Sequence, residues 1–284
     1  MEKTDITIIG AGIIGLSSSY ILSSLGKEIV VLEKNHSFGQ ETSSRNSEVI
    51  HSGIYYPKNS LKSRTCIRGK DLLYKLCKEH DIKFKKTGKI LVSEDDNETQ
   101  KLNEIYKNAT DCGIRNLRFL KKKELKNLEP DIKATQSLFS PDAGIVDTHE
   151  LMNFFYGASK RKKVNFAFSV EVIDIIPRGS SYEIVVQEPQ GDYFTFDSKA
   201  VINCAGLFSD KIAQMVGLDI DKFSYKLHYC KGQYFRLKAP DKFSIQHLVY
   251  PPPGGVDLGI HITPDLGGGL RLGPDAQYVT DIEY

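Results

Sequence analysis

No two cysteines in this chain fall in a CxxC spacing, and the five present, Cys66, Cys77, Cys112, Cys204 and Cys230, are odd in number and widely separated. That pattern argues against a zinc framework or a disulfide-stapled scaffold and reads as reduced thiols. No metal site is expected. Charge of one sign is not in excess either: 38 Lys and Arg against 36 Asp and Glu leave a formal net charge of +2. Nothing in that balance suggests a nucleic-acid partner. The most apolar early run, Ile13 to Leu25, is interrupted by serines and is too short to cross a bilayer. Strand-like residues begin almost at Met1, so no signal peptide is expected and the cytoplasm is the expected compartment. Peripheral contact with the inner face of a membrane stays open. The chain shows no internal repeat and no low-complexity linker, and at 284 residues it is long enough for two domains.

What is present is concentrated between Asp5 and Glu33. Ile6, Thr7, Ile8 and Ile9 form a β-branched run that enters Gly10 directly, as a buried parallel strand does before a tight turn. Gly10, Gly12 and Gly15 then occupy the positions of a dinucleotide turn: one for the bend, one for backbone approach to a pyrophosphate, one for close helix packing. The helix that follows directs its N-terminal N–H groups at the phosphates. A second strand, Ile29 to Leu32, ends at Glu33, eighteen positions after Gly15 (33 minus 15). An acid about 20 residues downstream is the group that meets an adenosine ribose, and its negative charge favours FAD or NAD over NADP.

Beyond Glu33 the sequence becomes polar, with hydroxyls and Arg45 in a loop suited to phosphate oxygens or flavin edges. Helices are expected over Leu61 to His80, with Leu61, Cys66, Leu72, Leu73, Leu76 and Cys77 on the apolar face, over Asp96 to Cys112, over Lys121 to Leu128, and over Thr148 to Ser159 with Thr148 as cap. Strands are expected over Lys89 to Ser93, as a pair within Val164 to Ile176, and as a hairpin of Tyr182 to Val186 with Tyr193 to Phe196. Ala200 to Asn203 reads as a separate short buried strand meeting Cys204-Ala205-Gly206. From Tyr225 onward antiparallel hairpins are expected, with a strand starting at Lys231 and a forced turn at Pro251 to Gly255. The basic clusters Lys83 to Lys89, Lys121 to Lys126 and Lys160 to Lys163 read as solvated faces.

Several segments together resemble the D-amino-acid-oxidase-like FAD-dependent oxidoreductases, and within them the L-2-hydroxyglutarate dehydrogenase/oxidase branch. They are Ser44-Arg45-Asn46-Ser47, Val49 through Pro57, Ser60-Leu61-Lys62, Gly69-Lys70 with Leu72-Leu73-Tyr74, Gly88-Lys89, Leu128-Glu129-Pro130 and Pro141 with Gly144 to Asp147. Later ones are Val201 through Gly206, Lys231-Gly232-Gln233-Tyr234, Tyr250-Pro251, Gly259 through Thr263 and Gly273 through Ala276. The resemblance implies an α/β fold, a Rossmann-like FAD-binding domain interleaved with an antiparallel-sheet substrate domain covering the isoalloxazine. Its implied division is FAD-binding over 1–88 and 143–222, and substrate-binding over 89–142 and 223–284. FAD would be held by Gly10, Gly12, Ile13, Ile14, Gly15, Glu33 and Lys34, by Ser44, Arg45, Asn46 and Ser47, by Val172, and by the Ala205-Gly206 turn. Family members continue past the position of Tyr284 with a glycine-rich flavin segment, which this chain is expected to lack.

The implied reaction is oxidation of L-2-hydroxyglutarate or a similar 2-hydroxy acid, with a quinone or oxygen as electron acceptor. It needs a hydride acceptor, supplied by flavin, and a base, for which a near-neutral histidine is suited. Of the seven histidines, His51 and His261 lie in family-like segments and are the candidates for base and substrate ligand, with Tyr55 beside them. Tyr56, Lys58, Lys62 and Arg271 are candidates for carboxylate binding. A covalent flavin link through His51 is chemically open, but no motif requires it. The competing readings are an amine or amino-acid oxidase of the same family and an inactive flavin-binding fragment.

Overall fold

The protein is described here from a computed structural model covering residues 2–238, 242–254 and 259–284. In chain order its strands are β1 (Glu2–Ile9), β2 (Ile29–Glu33), β3 (Val49–Ile50), β4 (Phe84–Lys85), β5 (Lys89–Ser93), β6 (Arg118–Phe119), β7 (Gln136–Ser140), β8 (Gly144–Val146) and β9 (Asn165–Phe168). They continue as β10 (Glu171–Arg178), β11 (Ser181–Gln187), β12 (Tyr193–Asn203), β13 (Tyr229–Lys231), β14 (Phe235–Arg236), β15 (Leu248–Tyr250), β16 (His261–Pro264), β17 (Leu270–Gly273) and β18 (Gln277–Val279). The helices are α1 (Ile13–Leu22), α2 (Leu61–Glu79), α3 (Asp96–Asp111), α4 (Lys122–Leu128), α5 (Thr148–Arg161) and α6 (Ser209–Met215).

Two compact units result, Met1–Asn46 with Thr148–Tyr229, and Ser47–Asp147 with Cys230–Tyr284. Both are discontinuous in sequence, and the chain changes unit well before the 88/89 boundary read from sequence. Residues 47–88 belong with the second unit because β3 and β4 both pair with β8, Ile50 opposite Gly144 and Phe84 opposite Val146.

The first unit is built on a six-stranded sheet in the order β10-β11-β12-β1-β2-β9. β12, β1, β2 and β9 run parallel, while β11 is antiparallel to both β10 and β12. Ile8 and Val31 are wholly buried, as central parallel strands require. One face carries a core of Ile9, Leu32, Val172, Ile175, Ile184 and Ile212. Helices α1 and α5 pack together, with the Ser19 and Ser159 hydroxyls 2.9 Å apart and Tyr20 against Phe155.

Two sequence expectations are corrected. The strands expected to pair within 164–176 do not pair with each other: β9 and β10 lie at opposite edges of the sheet, because β9 adds in parallel to β2 while β10 turns back as a hairpin with β11. The separate strands expected at 193–196 and 200–203 are one. β12 spends its first half against β11 and its second against β1, and its polar centre is retained because the buried Thr7 hydroxyl donates to Ser198 Oγ at 2.8 Å.

The second unit is built on a seven-stranded sheet in the order β14-β17-β16-β15-β5-β7-β6. Its recorded pairings are antiparallel except β15 with β5. Side chains alternate across such a sheet. Ile90, Val249, Ile262 and Leu270 face one side, with Ile90 packed beside Leu125 and Val249 beside Leu270. The opposite side carries Leu91, Leu138 and Leu248 against Leu102 and Ala109 of α3. Ser140, Lys89, Tyr250, His261 and Arg271 share that side by the same alternation. The strand expected to start at Lys231 divides into β13, which ends there, and β14, and the expected Pro251 to Gly255 turn reaches Gly255, outside the described residues. In α2, Cys77 of the expected apolar face is buried, together with Ser63, while Leu61 and Leu72 are exposed.

Candidate functional site

In the first unit the glycine turn is shaped by backbone proximity. Gly10 has φ +102°, and a Cβ there would lie 2.4 Å from the Cys204 carbonyl oxygen. A Cβ on Gly15 would lie 1.9 Å from the Gly10 carbonyl oxygen. Neither position tolerates a side chain, so both glycines are required by packing alone. Glu33 sits at the end of β2 and is largely buried. Its carboxylate accepts from the Ala11 N–H at 2.8 Å through one oxygen and from the Asn35 N–H and Nδ2 at 2.9 Å through the other. The acid therefore ties the turn together while lining the cavity beside it. Ser43 Oγ accepts from the Ile13 N–H at 2.9 Å, which caps a helix whose own N-cap residue is a glycine.

These elements surround a cavity of about 550 Å³. Of the predicted cofactor residues, Gly10, Gly12, Ile13, Ile14, Glu33, Lys34, Asn46, Val172, Ala205 and Gly206 line it. Gly15, Ser44, Arg45 and Ser47 do not. Gly15 is covered by the turn it packs beneath. Ser44 Oγ donates to the Glu41 carbonyl and Arg45 Nη1 to the Gln40 carbonyl, so both serve the loop's own shape. Ser47 belongs to the second unit, where its hydroxyl bonds the Tyr234 phenol. Ser43 and Phe208 were missed. Ser43 lay in the same hydroxyl run as Ser44, while Phe208, over which Lys34 Nζ sits at 3.5 Å, gave no signal.

In the second unit the strands bring together groups that are far apart in sequence. The Tyr250 and His261 rings stack with centroids 3.5 Å apart and planes 9° from parallel. Lys89 Nζ stands 3.8 Å from the Tyr250 centroid, and 5.2 Å from that of Tyr55. An imidazole and an amine cannot both occupy one ring face at these distances, so Tyr250 is held between His261 and Lys89. Lys89 is 1% exposed. The expectation that it ends a solvated basic run is therefore corrected: it opens the buried strand Lys89–Ser93, and a lysine heading Ile90-Leu91-Val92 was the signal that could have shown this.

His51 lies near the same group. Burial, then the charges of Lys89, His261 and Lys62, push it down to about 3. The backbone carbonyl of His51 accepts from Cys66 Sγ at 3.5 Å. Burial also lowers Lys89, to about 7, and holds the Tyr55 and Tyr250 phenols above their ordinary values. The structure thus brings His51, His261 and Tyr55 to one neighbourhood, together with Lys89 and Tyr250, which sequence reasoning had not singled out as site residues. Arg271 donates to Glu48 at 2.7 Å, so its charge is already matched. Lys62 stands 4.7 Å over the Tyr56 ring on the exposed side of α2, and Lys58 lines a separate hollow with Arg64 and Arg68.

Residues 5–283 match the DAO family, described as FAD dependent oxidoreductase. The chain belongs to that family. Among its relatives are the mitochondrial L-2-hydroxyglutarate dehydrogenases of Arabidopsis thaliana, 34% identical over 98% of this chain and 63% of that protein, and of Homo sapiens, 33% identical over 96% and 60%. The chain therefore spans about three-fifths of the length of these relatives. Among solved structures, the dithionite-reduced L-α-glycerophosphate oxidase of Mycoplasma pneumoniae, with FAD bound, superposes with a TM-score of 0.89 at 25% identity, over 99% of this chain and 73% of that one. Glycine oxidase from Geobacillus kaustophilus shares the fold at 21% identity and a TM-score of 0.82, over 99% and 74%. The glycine turn, the Glu33 bonds and the cavity fit the adenosine and pyrophosphate portion of FAD, the cofactor of this family.

Proposed function

We propose that this chain oxidises an L-2-hydroxy acid, with L-2-hydroxyglutarate first among them, to the 2-oxo acid. The observation that carries the reading is His51, a neutral imidazole just after β3, near the buried amine of Lys89 and the stacked Tyr250 and His261 rings. Similarity along nearly the whole chain to proteins named for that substrate supports it.

Such an oxidation removes a hydride from the α-carbon and a proton from the hydroxyl. FAD, when bound, supplies the hydride acceptor. His51 is uncharged above about pH 3, so a ring nitrogen can accept a hydrogen bond from the substrate hydroxyl; so low a value makes it a weaker base than the near-neutral histidine expected from the sequence. Tyr55 stays a neutral phenol, able to donate a hydrogen bond that orients an oxygen. His261, fixed by its stack on Tyr250, holds one side of the substrate position. Electrons pass on to a quinone or to oxygen. The protein works in the cytoplasm, with peripheral contact to the inner membrane face as the arrangement a quinone acceptor would favour. Among the described residues no helix is long and apolar enough to cross a membrane.

The test is turnover by the FAD-loaded chain with an artificial electron acceptor and with oxygen. Reduction by L-2-hydroxyglutarate, and not by its D-enantiomer, is the expected result. Activity confined to glycine, sarcosine or D-amino acids would make it an amine oxidase, and activity confined to glycerol 3-phosphate would place it with the glycerol 3-phosphate dehydrogenase of Caloramator mitchellensis, 29% identical over 98% of this chain and 56% of that protein.

A further inference from the structure

A buried charge without a counter-ion is unusual, because its desolvation is costly unless something compensates it. The other enclosed cations of the second unit have their partners. Lys70 reaches Asp71 at 2.7 Å, and Arg271 reaches Glu48 at 2.7 Å. Lys89 is more deeply buried than either, and among the described residues it meets no carboxylate. It meets the faces of Tyr250 and Tyr55. Ring faces attract a cation only weakly compared with an anion, so they leave a place for one. The acid-sized alternative inside the fold, Glu129, is committed elsewhere, accepting from the Gln246 and His247 N–H groups and the His247 ring.

We propose that Lys89 is the oxyanion receptor of this site, its amine taking the carboxylate, or an equivalent phosphate, of a small organic acid between the Tyr55 and Tyr250 rings. The proposal rests on the reading above only in treating this strand face as the substrate face. The anion enters past the partly exposed His51, Tyr55 and Tyr56 and supplies the missing counter-charge. The groups around Lys89 are Tyr55 from the segment after β3, Cys66 from α2 and Tyr250 from β15, with His51 and Lys62 next to them and His261 beyond the far face of Tyr250. None of these is an anion at neutral pH: the phenols and the Cys66 thiol are held protonated by burial, and His51 is neutral.

Because burial keeps the empty site's amine near the midpoint of its titration at neutral pH, an arriving anion draws a proton onto it. Proton uptake is therefore small at pH 6, where the amine is already charged, and approaches one per anion at pH 8. Apparent affinity falls about tenfold over that interval, the linkage expected of one group with a midpoint near 7.

The experiment is calorimetric titration of the FAD-loaded chain with glutarate, and separately with glycerol 3-phosphate and inorganic phosphate, at pH 6, 7 and 8 in buffers of different ionisation enthalpy. Wild type should take up a proton with at least one of these anions, increasingly with pH, and glycine should not reproduce it. Lys89→Met should abolish the uptake and weaken binding at pH 6 by about 30-fold or more, the loss typical of truncating one partner of a buried charge pair on binding. Lys89→Arg, which stays charged throughout, should bind the same anion without proton uptake and without the pH slope. Circular dichroism and flavin absorbance confirm that each variant is folded and loaded. Anion binding by wild type without proton uptake at pH 8 would overturn the proposal, as would unchanged uptake in Lys89→Met. Turnover of L-2-hydroxyglutarate with no proton-coupled binding would defeat the Lys89 inference and leave the functional reading intact. Proton-coupled glutarate binding without turnover would do the reverse.

Discussion

The glycine turn of the first unit and the polar strand face of the second solve opposite problems. At the turn, the free protein already satisfies its polar groups: both oxygens of Glu33 accept from neighbouring N–H groups, and Ser43 answers the Ile13 N–H. The ligand is received by shape and by backbone. On the strand face, the free protein leaves a buried amine without a counter-ion and an imidazole pushed to about 3. One region is finished before its ligand arrives, and the other is not. Substitutions in the first should therefore cost stability and cofactor together, while substitutions in the second should cost function and release stability.

The largest effect is expected at Gly15→Val. A Cβ there would meet the Gly10 carbonyl oxygen at 1.9 Å, and forcing the helix away from the turn should cost several kcal/mol, roughly 3 or more, comparable to severe overpacking. Thermal unfolding and flavin absorbance should fail together; a variant that keeps its flavin would show that the turn is less rigid than the contacts imply.

Next is His51→Gln, which should lower kcat about 10²- to 10⁴-fold with flavin binding unchanged. The wild-type pH profile of kcat/KM should show no His51 limb between pH 5 and 9, since the imidazole is already neutral there. A small effect on kcat would move the role of base to another group.

Lys89→Met tests the contrast most directly. The native amine titrates near 7, well below the ordinary lysine value, so between those points the unfolded chain holds a proton that the native one does not. Native stability therefore rises with pH across that window, and below it the buried charge is a full penalty. The methionine variant should be more stable than wild type at pH 7, by about 1–4 kcal/mol, with the gain fading toward pH 10. Denaturant melts at pH 7 and 10 would show it, and a destabilised variant at both would mean that Lys89 is compensated after all.

The smallest effect is expected at Ser43→Ala. Removing the hydroxyl that caps α1 should cost about 1 kcal/mol, read as a shift in the denaturant midpoint with a correspondingly small loss of flavin content.

How much was legible from residues alone follows the same divide. Strand-turn-helix, glycine spacing and terminal acid are local, lie within about thirty residues, and obey the fixed geometry of a pyrophosphate-binding turn, so Gly10 through Glu33 could be read directly. Local reading also overreached: Ser44 and Arg45 have the chemistry of phosphate ligands, but the loop spends both on its own carbonyls. It failed at Lys89, where proximity to other lysines suggested solvent. Nothing local could show that β5 would lie beside β15 and carry Lys89 under Tyr250, or that β16 would bring His261 onto the other face of that ring. The cofactor turn and the family were determined by the sequence itself, because a turn's geometry is written in neighbouring residues. The charge state of the substrate face was decided only by the tertiary structure, because burial and strand register are properties that no segment possesses before the sheet assembles.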